Sequence, residues 1–216
     1  MKMRNSLLTA SIAAGALAMG TTFYAPAASA ATIAGPLTDF TGDTAGGKMT
    51  FTDAGPGTVN LFAEITAPTI GGDIRGLFFN VLGGTDGLNV TGTDVTSFAF
   101  NTCNLGGGNN LEGGGPSAPC AGSNVFDVGI SIGQPGAADG TITSTQLTIT
   151  RAGLTASSFL DQTIGMRLQS TGADGKGSSK LSGTAVPTPA LLPGLIGMGA
   201  AALRKRKGEG DESAEA

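Results

Sequence analysis

Apolar and polar side chains alternate along most of the middle of the chain. The clearest run is TVNLFAEITA (58–67), whose one face carries Val59, Leu61, Ala63 and Ile65. Successive side chains of a β-strand point to opposite faces, so a period of two indicates a strand with one buried face. The same period occurs in NVFDVGISIG (124–133) and in IGMRLQS (164–170). These three runs predict strands that pack one face against a core.

The run DIRGLFFNVL (73–82) differs because both of its faces carry apolar side chains. In a strand, Leu77 and Phe79 would share one face, whereas Ile74 and Phe78 would share the other. Strands that are buried on both faces read as nearly continuous apolar runs. The sequence therefore predicts a strand that is covered on both sides for part of its length.

Three further segments are rich in Thr and β-branched residues and predict strands at 48–52, 94–100 and 141–150. Gly-rich turns separate the strands, and the segment 154–162 predicts a short helical turn with a Ser or Thr cap. Together these elements predict an all-β domain at 31–184. Its expected architecture is an antiparallel β-sandwich or jelly roll of about seven to nine strands.

Composition argues against catalysis. Gly accounts for 37 of the 216 residues, there is no His or Trp, and the only Tyr is Tyr24. Without His the chain lacks the commonest general base and the commonest metal ligand. Ser178 and Ser179 lie near Lys180, but their spacing does not match the S-x-x-K arrangement of a Ser/Lys nucleophile pair. The sequence predicts that the protein is not an enzyme.

The charged residues, only 13% of the chain, suit a solvated surface. Between the first 30 residues and residue 204 there are six basic and twelve acidic side chains, which disfavours nucleic-acid binding. Asp127 lies on the polar face of a predicted strand and is expected to be a solvated carboxylate. Asp73 and Arg75 are two positions apart and predict a surface ion pair.

The N-terminus has the three parts of a signal peptide. Lys2 and Arg4 precede the apolar run SLLTASIAAGALAMG, and small residues follow at Ala28 and Ala30. This order of charge, apolar helix and A-x-A site is read by signal peptidase. The sequence predicts a leader helix at 1–30, cleavage after Ala30 and export of the mature chain.

Two cysteines, Cys103 and Cys120, bracket a Gly-rich stretch. In an exported protein an even pair of this kind predicts a disulfide. Free thiols or metal ligands are the alternatives, although two cysteines without His make a poor metal site.

The Gly-rich loops also leave a calcium hypothesis open, with calcium as the one cofactor to consider. Ca²⁺ takes six to eight oxygen ligands, which such loops supply through carbonyls and side chains. The spacing matches no EF-hand, and turn chemistry accounts for the same residues. The candidate ligands are Asp86, Asn89, Asp94, Asn109, Asn110 and Glu112.

The C-terminus predicts a short membrane segment. Residues 190–203 are uncharged, but a spanning helix needs about 20 residues, and prolines interrupt the approach to this run. The basic cluster Arg204, Lys205, Arg206 and Lys207 acts as a stop-transfer signal. The acidic end at 208–216 would remain in the cytoplasm. A short C-terminal transmembrane helix is therefore expected.

The order of these C-terminal parts resembles a PEP-CTERM sorting signal, and more closely its PTPA-CTERM variant. The motif is Val186-Pro187-Thr188-Pro189-Ala190, followed by the apolar run and the basic cluster, so the sorting segment covers 185–207. The resemblance implies recognition by an exosortase in bacteria that make extracellular polysaccharide and biofilm. Thr replaces the Glu of the commoner motif, and the acidic extension also departs from it.

The body is similar to uncharacterised domains that precede such signals, in GDIRGLFFNV (72–81), NVFDVGISIG (124–133) and GMRLQSTGADGKGSSKLSG (165–183). No activity comes with that resemblance. The expected function is a structural or adhesive protein of the cell surface or extracellular matrix, tethered to the inner membrane before processing. Its expected partners are signal peptidase, exosortase and, at the surface, polysaccharide or other matrix proteins. The alternative is a calcium- or carbohydrate-binding module.

Overall fold

The computed structural model describes residues 31–134 and 141–188. Four features expected from the sequence lie outside the described residues: the leader, the end of the sorting motif (Pro189 and Ala190), the membrane helix and the basic cluster. Within them the chain forms eleven strands and one short 3-10 helix, Ala156–Phe159, and no α-helix. The strands are β1 (Thr32–Gly42), β2 (Gly46–Gly55), β3 (Thr58–Thr66), β4 (Gly71–Phe79), β5 (Asn89–Gly92), β6 (Val95–Thr102), β7 (Phe126–Ile132), β8 (Ser144–Thr150), β9 (Thr163–Thr171), β10 (Gly177–Thr184) and β11 (Val186–Pro187).

All the strands belong to one antiparallel sheet in the order β5-β8-β3-β2-β1-β10-β9-β4-β7-β6, with β11 added to β1. The sheet curls round on itself. Phe51 of β2 and Phe79 of β4 are separated by three intervening strands of the sheet, yet their ring centroids are 5.9 Å apart. The two halves of the sheet therefore face each other across one core.

Asp94 ties the two ends of the curled sheet together. It lies in the short connection between β5 and β6, the first and last strands in the order. Its carboxylate accepts a hydrogen bond from the Thr145 hydroxyl of β8 at 2.7 Å. Its carbonyl accepts one from the N–H of Gly133, just after β7, at 2.8 Å. One residue thus bridges the seam and leaves the sheet almost closed.

The main core fills the inside of the curled sheet. The ring of Phe159, from the 3-10 helix, stacks on Phe51 with a centroid separation of 4.1 Å. Thr155 caps this helix, and its N–H donates to the Ser158 hydroxyl at 3.3 Å. The short helical turn predicted at 154–162 is confirmed. This helix places the ring of Phe159 in the main core.

A second, smaller core lies on the outer face of the sheet, where Phe78 packs with Cys103, Leu111 and Phe126. The two-sided burial predicted for 73–82 is therefore confirmed at Phe78. Ile74 does not share that outer face, because it packs in the main core. The register of β4 against β9 shifts between Ile74 and Gly76, which returns Ile74 to the inner face.

The all-β antiparallel class is confirmed, with differences in detail. The described residues form eleven strands rather than seven to nine, and these strands form one continuous sheet. The alternating runs became β3, β7 and β9 as predicted, and the Thr-rich segments lie in β2, β6 and β8. The buried faces of β3 and β9 are those that the pattern gave, with Leu61 and Met166 fully buried.

Two long strands, β1 and β10, have no counterpart in the sequence pattern. The sequence of β1 contains Pro36, which has no N–H to donate to a strand ladder, so this segment does not look like a strand in the sequence. On one side of β1 the partner changes from β11 at Ile33–Ala34 to β10 at Thr38–Gly42, and Pro36 lies in the gap. The only large apolar residue of β10 is Leu181, so no alternation is visible.

No helix among residues 31–134 and 141–188 is long and apolar enough to cross a membrane.

Candidate functional site

A cavity of about 180 Å³ lies on the outer face of the sheet, where β4, β7 and β6 run side by side. Strand residues form its floor, and the loop closed by the two cysteines forms its roof. Most of its lining groups are polar, namely Arg75, Thr96, Ser97, Asn109, Ser131 and Gln169. This cavity combines a buried charge with hydroxyl and amide groups, so it is the best candidate for a functional site.

Two register shifts build the floor of this cavity. In β4, Ile74 and Gly76 pair with consecutive residues of β9, so Arg75 is the extra residue of a β-bulge. In β6, Val95 and Ser97 pair with consecutive residues of β7, so Thr96 is extra as well. Bulges re-aim side chains and concentrate near functional sites. Ser131 of β7 pairs with Gly76, beside one bulge, and with Ser97, beside the other. The two bulges therefore lie opposite each other across β7.

Arg75 and Asp73 form a buried ion pair, so the surface ion pair expected from the sequence is wrong. Their side chains are only 5% and 3% exposed, and Arg75 Nη1 lies 3.4 Å from Asp73 Oδ2. The segment 141–143 covers Asp73, whose Oδ1 accepts a hydrogen bond from the N–H of Ile142 at 3.0 Å. Removing two charges from water costs several kcal/mol per ion unless hydrogen bonds compensate it.

The guanidinium of Arg75 retains unused donors that reach the cavity. Its bond to Asp73 is the only hydrogen bond that its side chain makes within the described part of the chain. Among the described residues the one side-chain atom that is both fully buried and unpaired is Asn109 Oδ1, so Nε and Nη2 of Arg75 are not fully buried. Arg75 is one of the residues that line the cavity, which makes these two nitrogens the free donors nearest to it.

Asn109 pins the roof to the floor. Its Nδ2 donates to the carbonyl of Arg75 and to the Ser131 hydroxyl, the latter at 3.4 Å. Its Oδ1 lies over Gly76, where a Cβ would come within 2.1 Å of it, so only glycine fits at that position. The roof itself is a compact loop in which the N–H of Leu111 donates to the carbonyl of Cys103 at 3.0 Å.

The disulfide closes this roof. Cys103 and Cys120 are bonded, with Cα atoms 6.1 Å apart, and they are 17 positions apart in sequence. The sulfur of Cys103 is largely buried in the outer core beside Phe78. The disulfide predicted from the sequence is thus present, and no cysteine in the chain is free.

Two basic residues of the sheet hold the other side of the roof. Arg167 of β9 donates from Nε to the carbonyl of Gly108 at 3.2 Å. Lys180 of β10, paired with Arg167, donates to Asn110 Oδ1 at 2.8 Å and to the carbonyl of Glu112. Burial lowers the pKa of Arg167. Burial, and then the charge of Arg167, lower the pKa of Lys180, while Glu112 opposes that shift.

The calcium candidates are dispersed. Asp94 closes the seam of the sheet, Asn109 pins the roof, and Glu112 accepts a hydrogen bond from Asn104 Nδ2 at 3.3 Å. Asp86 lies in the turn before Leu88. Across the described ranges no group of three or more His, Cys, Asp or Glu side chains stands close enough to hold a metal ion.

The other candidates from the sequence have structural contacts. Asp127 is only partly exposed, and its carboxylate accepts a hydrogen bond from the N–H of Val81 at 2.8 Å. Ser179 is fully buried, and its hydroxyl donates to the carbonyl of Asp43 at 2.8 Å. Because Lys180 is bonded to the roof instead, the structure does not assemble a Ser/Lys pair. Ser178 pairs with Gln169 of β9, and its carbonyl accepts a hydrogen bond from the N–H of Asp43 at 3.0 Å.

The first residues of the predicted sorting motif belong to the folded domain. Val186 and Pro187 form β11 and pair with Ala34 and Ile33 of β1. Thr188 donates from its N–H and its hydroxyl to the carbonyl of Thr32, at 3.2 and 2.7 Å. Structured backbone therefore continues past residue 184, and the two ends of the described domain lie side by side.

A wider, open groove of about 670 Å³ lies near the other end of the disulfide loop, between Asn80, Asn124 and Thr163. Hydroxyl, amide and backbone groups line it, without any charged side chain. The absence of a charge and its openness make it a weaker candidate than the cavity at Arg75.

Sequence reasoning identified Arg75 and Asn109 but not their meeting in one site. The available signal was the charged pair at 73 and 75 inside an otherwise apolar strand, since charges seldom enter such runs unless they are paired.

Comparisons of this chain with protein families, with curated proteins and with solved structures give no match.

Proposed function

We propose that this protein is exported and serves as a structural or adhesive component of the cell surface or extracellular matrix. In this proposal signal peptidase removes residues 1–30, and an exosortase acts at the C-terminal sorting segment. The domain then presents its outer face, with the cavity at Arg75, to matrix components. One antiparallel sheet, curled until it is nearly closed, encloses the main core and holds this outer face in place.

The observation that carries the proposal is the disulfide between Cys103 and Cys120. Disulfides persist in oxidising compartments and are rare in the cytosol. This one closes a loop that has few apolar contacts of its own, so the loop depends on a compartment in which the bond survives. The leader and the PTPA-CTERM-like tail in the sequence point to the same compartment.

The adjacent termini also suit a tethered precursor. Thr32 follows the expected signal-peptidase site by two residues, and its carbonyl accepts a hydrogen bond from the hydroxyl of Thr188 in the predicted sorting motif. Both predicted processing sites would therefore lie at the same edge of the domain. A domain tethered at that edge leaves its outer face available to partners.

Mass spectrometry of the mature protein from its native host tests this proposal. We expect an N-terminus at Ala31 and a C-terminus near Pro187 or Pro189. A surface-bound protein that still ends at Ala216 would contradict exosortase processing and would favour a permanent anchor. A retained Met1 would contradict export through signal peptidase.

A second candidate function is carbohydrate binding, and the cavity favours it. Its lining provides hydroxyl and amide groups that match the hydrogen bonds of a sugar. The calcium alternative has no comparable support, because its candidate ligands are dispersed and the cavity carries a buried cation.

A further inference from the structure

We infer that the cavity at Arg75 binds a carboxylate flanked by hydroxyl groups, as carried by a hexuronate of an acidic polysaccharide or by a free sugar acid. This inference deepens the matrix-binding part of the proposed function and names the ligand class of the same site. It rests on the guanidinium, the hydroxyl lining and the two bulges, and each of these is independent of how the protein is exported or processed.

The guanidinium sets the charge of the ligand. Arg75 uses Nη1 for Asp73, its other nitrogens make no hydrogen bond in the described part of the chain, and the residue lines the cavity. Guanidinium groups bind carboxylates through two parallel N–H···O bonds, which supply geometric specificity as well as energy. A cation is excluded because it would meet an arginine, and no carboxylate is among the residues that line the cavity.

The charge of Arg75 also selects against doubly charged ligands. Asp73 already neutralises part of it at 3.4 Å in a buried setting. A phosphate dianion would bring two negative charges to a site with one shared positive charge, at a large desolvation cost. A single carboxylate needs only one such partner, so a monoanion fits better than inorganic phosphate.

The remaining lining groups suit hydroxyls beside the carboxylate. Ser97 and Ser131 offer hydroxyl donors, Thr96 donates to the Ser131 carbonyl at 3.3 Å and can still accept, and Gln169 offers an amide. Recognition through charge and hydrogen bonds needs no aromatic platform, so the absence of Trp and of Tyr beyond residue 24 is no obstacle.

The size of the cavity limits what enters it. At roughly 30 Å³ per water in the liquid, its volume of about 180 Å³ corresponds to about six water molecules. The carboxylate and its neighbouring hydroxyls fit that space, and the rest of a polymer would remain outside. The two bulges and the disulfide hold the groups in place before binding, which reduces the ordering cost.

Isothermal titration calorimetry on the mature protein tests the inference with named probes. Sodium D-glucuronate should bind about tenfold or more tightly than D-glucose, because glucose lacks the charged hydrogen-bond acceptor. Inorganic phosphate should not displace glucuronate. An oligoglucuronate that binds more tightly than the monomer assigns the site to a polymer, and equal affinities assign it to a free sugar acid. The titrations need about 0.15 M salt to screen the acidic domain.

Two variants and one control identify the residues. Asp73→Asn/Arg75→Gln removes both charges together, so no unpaired buried charge remains, and glucuronate affinity should fall about tenfold or more. Should that variant fail to fold, Ser97→Leu fills the exposed wall of the cavity and should give a comparable loss. The control Lys48→Gln/Glu64→Gln neutralises an exposed ion pair of 3.9 Å elsewhere on the sheet and should bind like the wild type.

Equal binding of glucuronate and glucose would overturn the inference. So would undiminished glucuronate binding in a folded Ser97→Leu variant, or phosphate binding as strong as that of glucuronate. These results are distinguishable from failure of the proposed function, because the processing sites are determined separately by mass spectrometry.

Discussion

The two faces of strand β4 are stabilised in different ways. On the inner face Leu77 and Phe79 are enclosed by other strands and by Phe159, all apolar and close-packed. On the outer face Phe78 is covered by an irregular loop that is held by a disulfide and by a few polar contacts. On the inner face the side chains contribute to stability through burial of their apolar surface. The outer face needs covalent and hydrogen-bonded support, and the candidate site lies there.

This difference has a physical origin. A strand pair supplies its own backbone hydrogen bonds, and side chains then only have to fill space. The Gly-rich loop has few apolar side chains, so its ordered conformation depends on the disulfide, on Asn109 and on the basic pair of β9 and β10. Regions of low local stability are where ligand-binding segments are usually found.

The largest expected effect is on the inner face. Phe51→Ala removes a fully buried ring that contacts both Phe79 and Phe159. We expect the free energy of unfolding to fall by about 3–5 kcal/mol, as measured by chemical denaturation. The matched control is Phe62→Ala on the neighbouring strand, where the ring is 38% exposed, and its loss should be well under half as large. Similar losses for the two variants would contradict the assignment of the main core.

The next effect concerns the outer face. Cys103→Ser/Cys120→Ser opens a loop of 17 positions and should lower the free energy of unfolding by about 3 kcal/mol in the loop-entropy picture. The variant should retain the far-ultraviolet spectrum of an all-β protein, because the main core does not depend on the bond. Loss of all structure would show that the inner core is not self-sufficient.

The smallest effect is the pH dependence that Lys180 contributes. Burial and the charge of Arg167 lower the pKa of Lys180 in the folded state, so the unfolded chain holds that proton more tightly. The free energy of unfolding should therefore rise with pH as the pH approaches the ordinary lysine pKa of about 10.4. Lys180→Gln should flatten this rise in denaturation series at increasing pH, whereas Lys176→Gln, in an exposed turn, should leave it unchanged.

The sequence predicted the parts of the fold that local alternation determines. The strands β3, β7 and β9 have a period of two because one face of each meets the main core, and Leu61 and Met166 are buried as expected. Phe126, at the start of β7, packs in the outer core instead. The polar strand β10 was not predicted, because its place depends on pairing with β1 and β9 and not on its own side chains. Long-range pairing of this kind leaves little trace in a single sequence.

The candidate site was only partly predictable. The residue types at Asp73, Arg75 and Asn109 are visible in the sequence, but their meeting depends on the bulge at Arg75 and on the path of the disulfide loop. A bulge changes which face a side chain occupies, so strict alternation placed Ile74 on the wrong side. The surface ion pair was wrong for a different reason, since segment 141–143 covers Asp73 only in the folded chain.

Amide hydrogen exchange tests most directly the claim that a self-sufficient core carries a disulfide-dependent outer layer. Exchange is compared between the wild type and Cys103→Ser/Cys120→Ser. We predict that the amides of Leu105 and Leu111, which are hydrogen-bonded within the loop, lose protection strongly in the variant. The ladder amides between β2 and β3 should change only slightly. A loss of protection that is equal in the loop and in the ladder would contradict the claim.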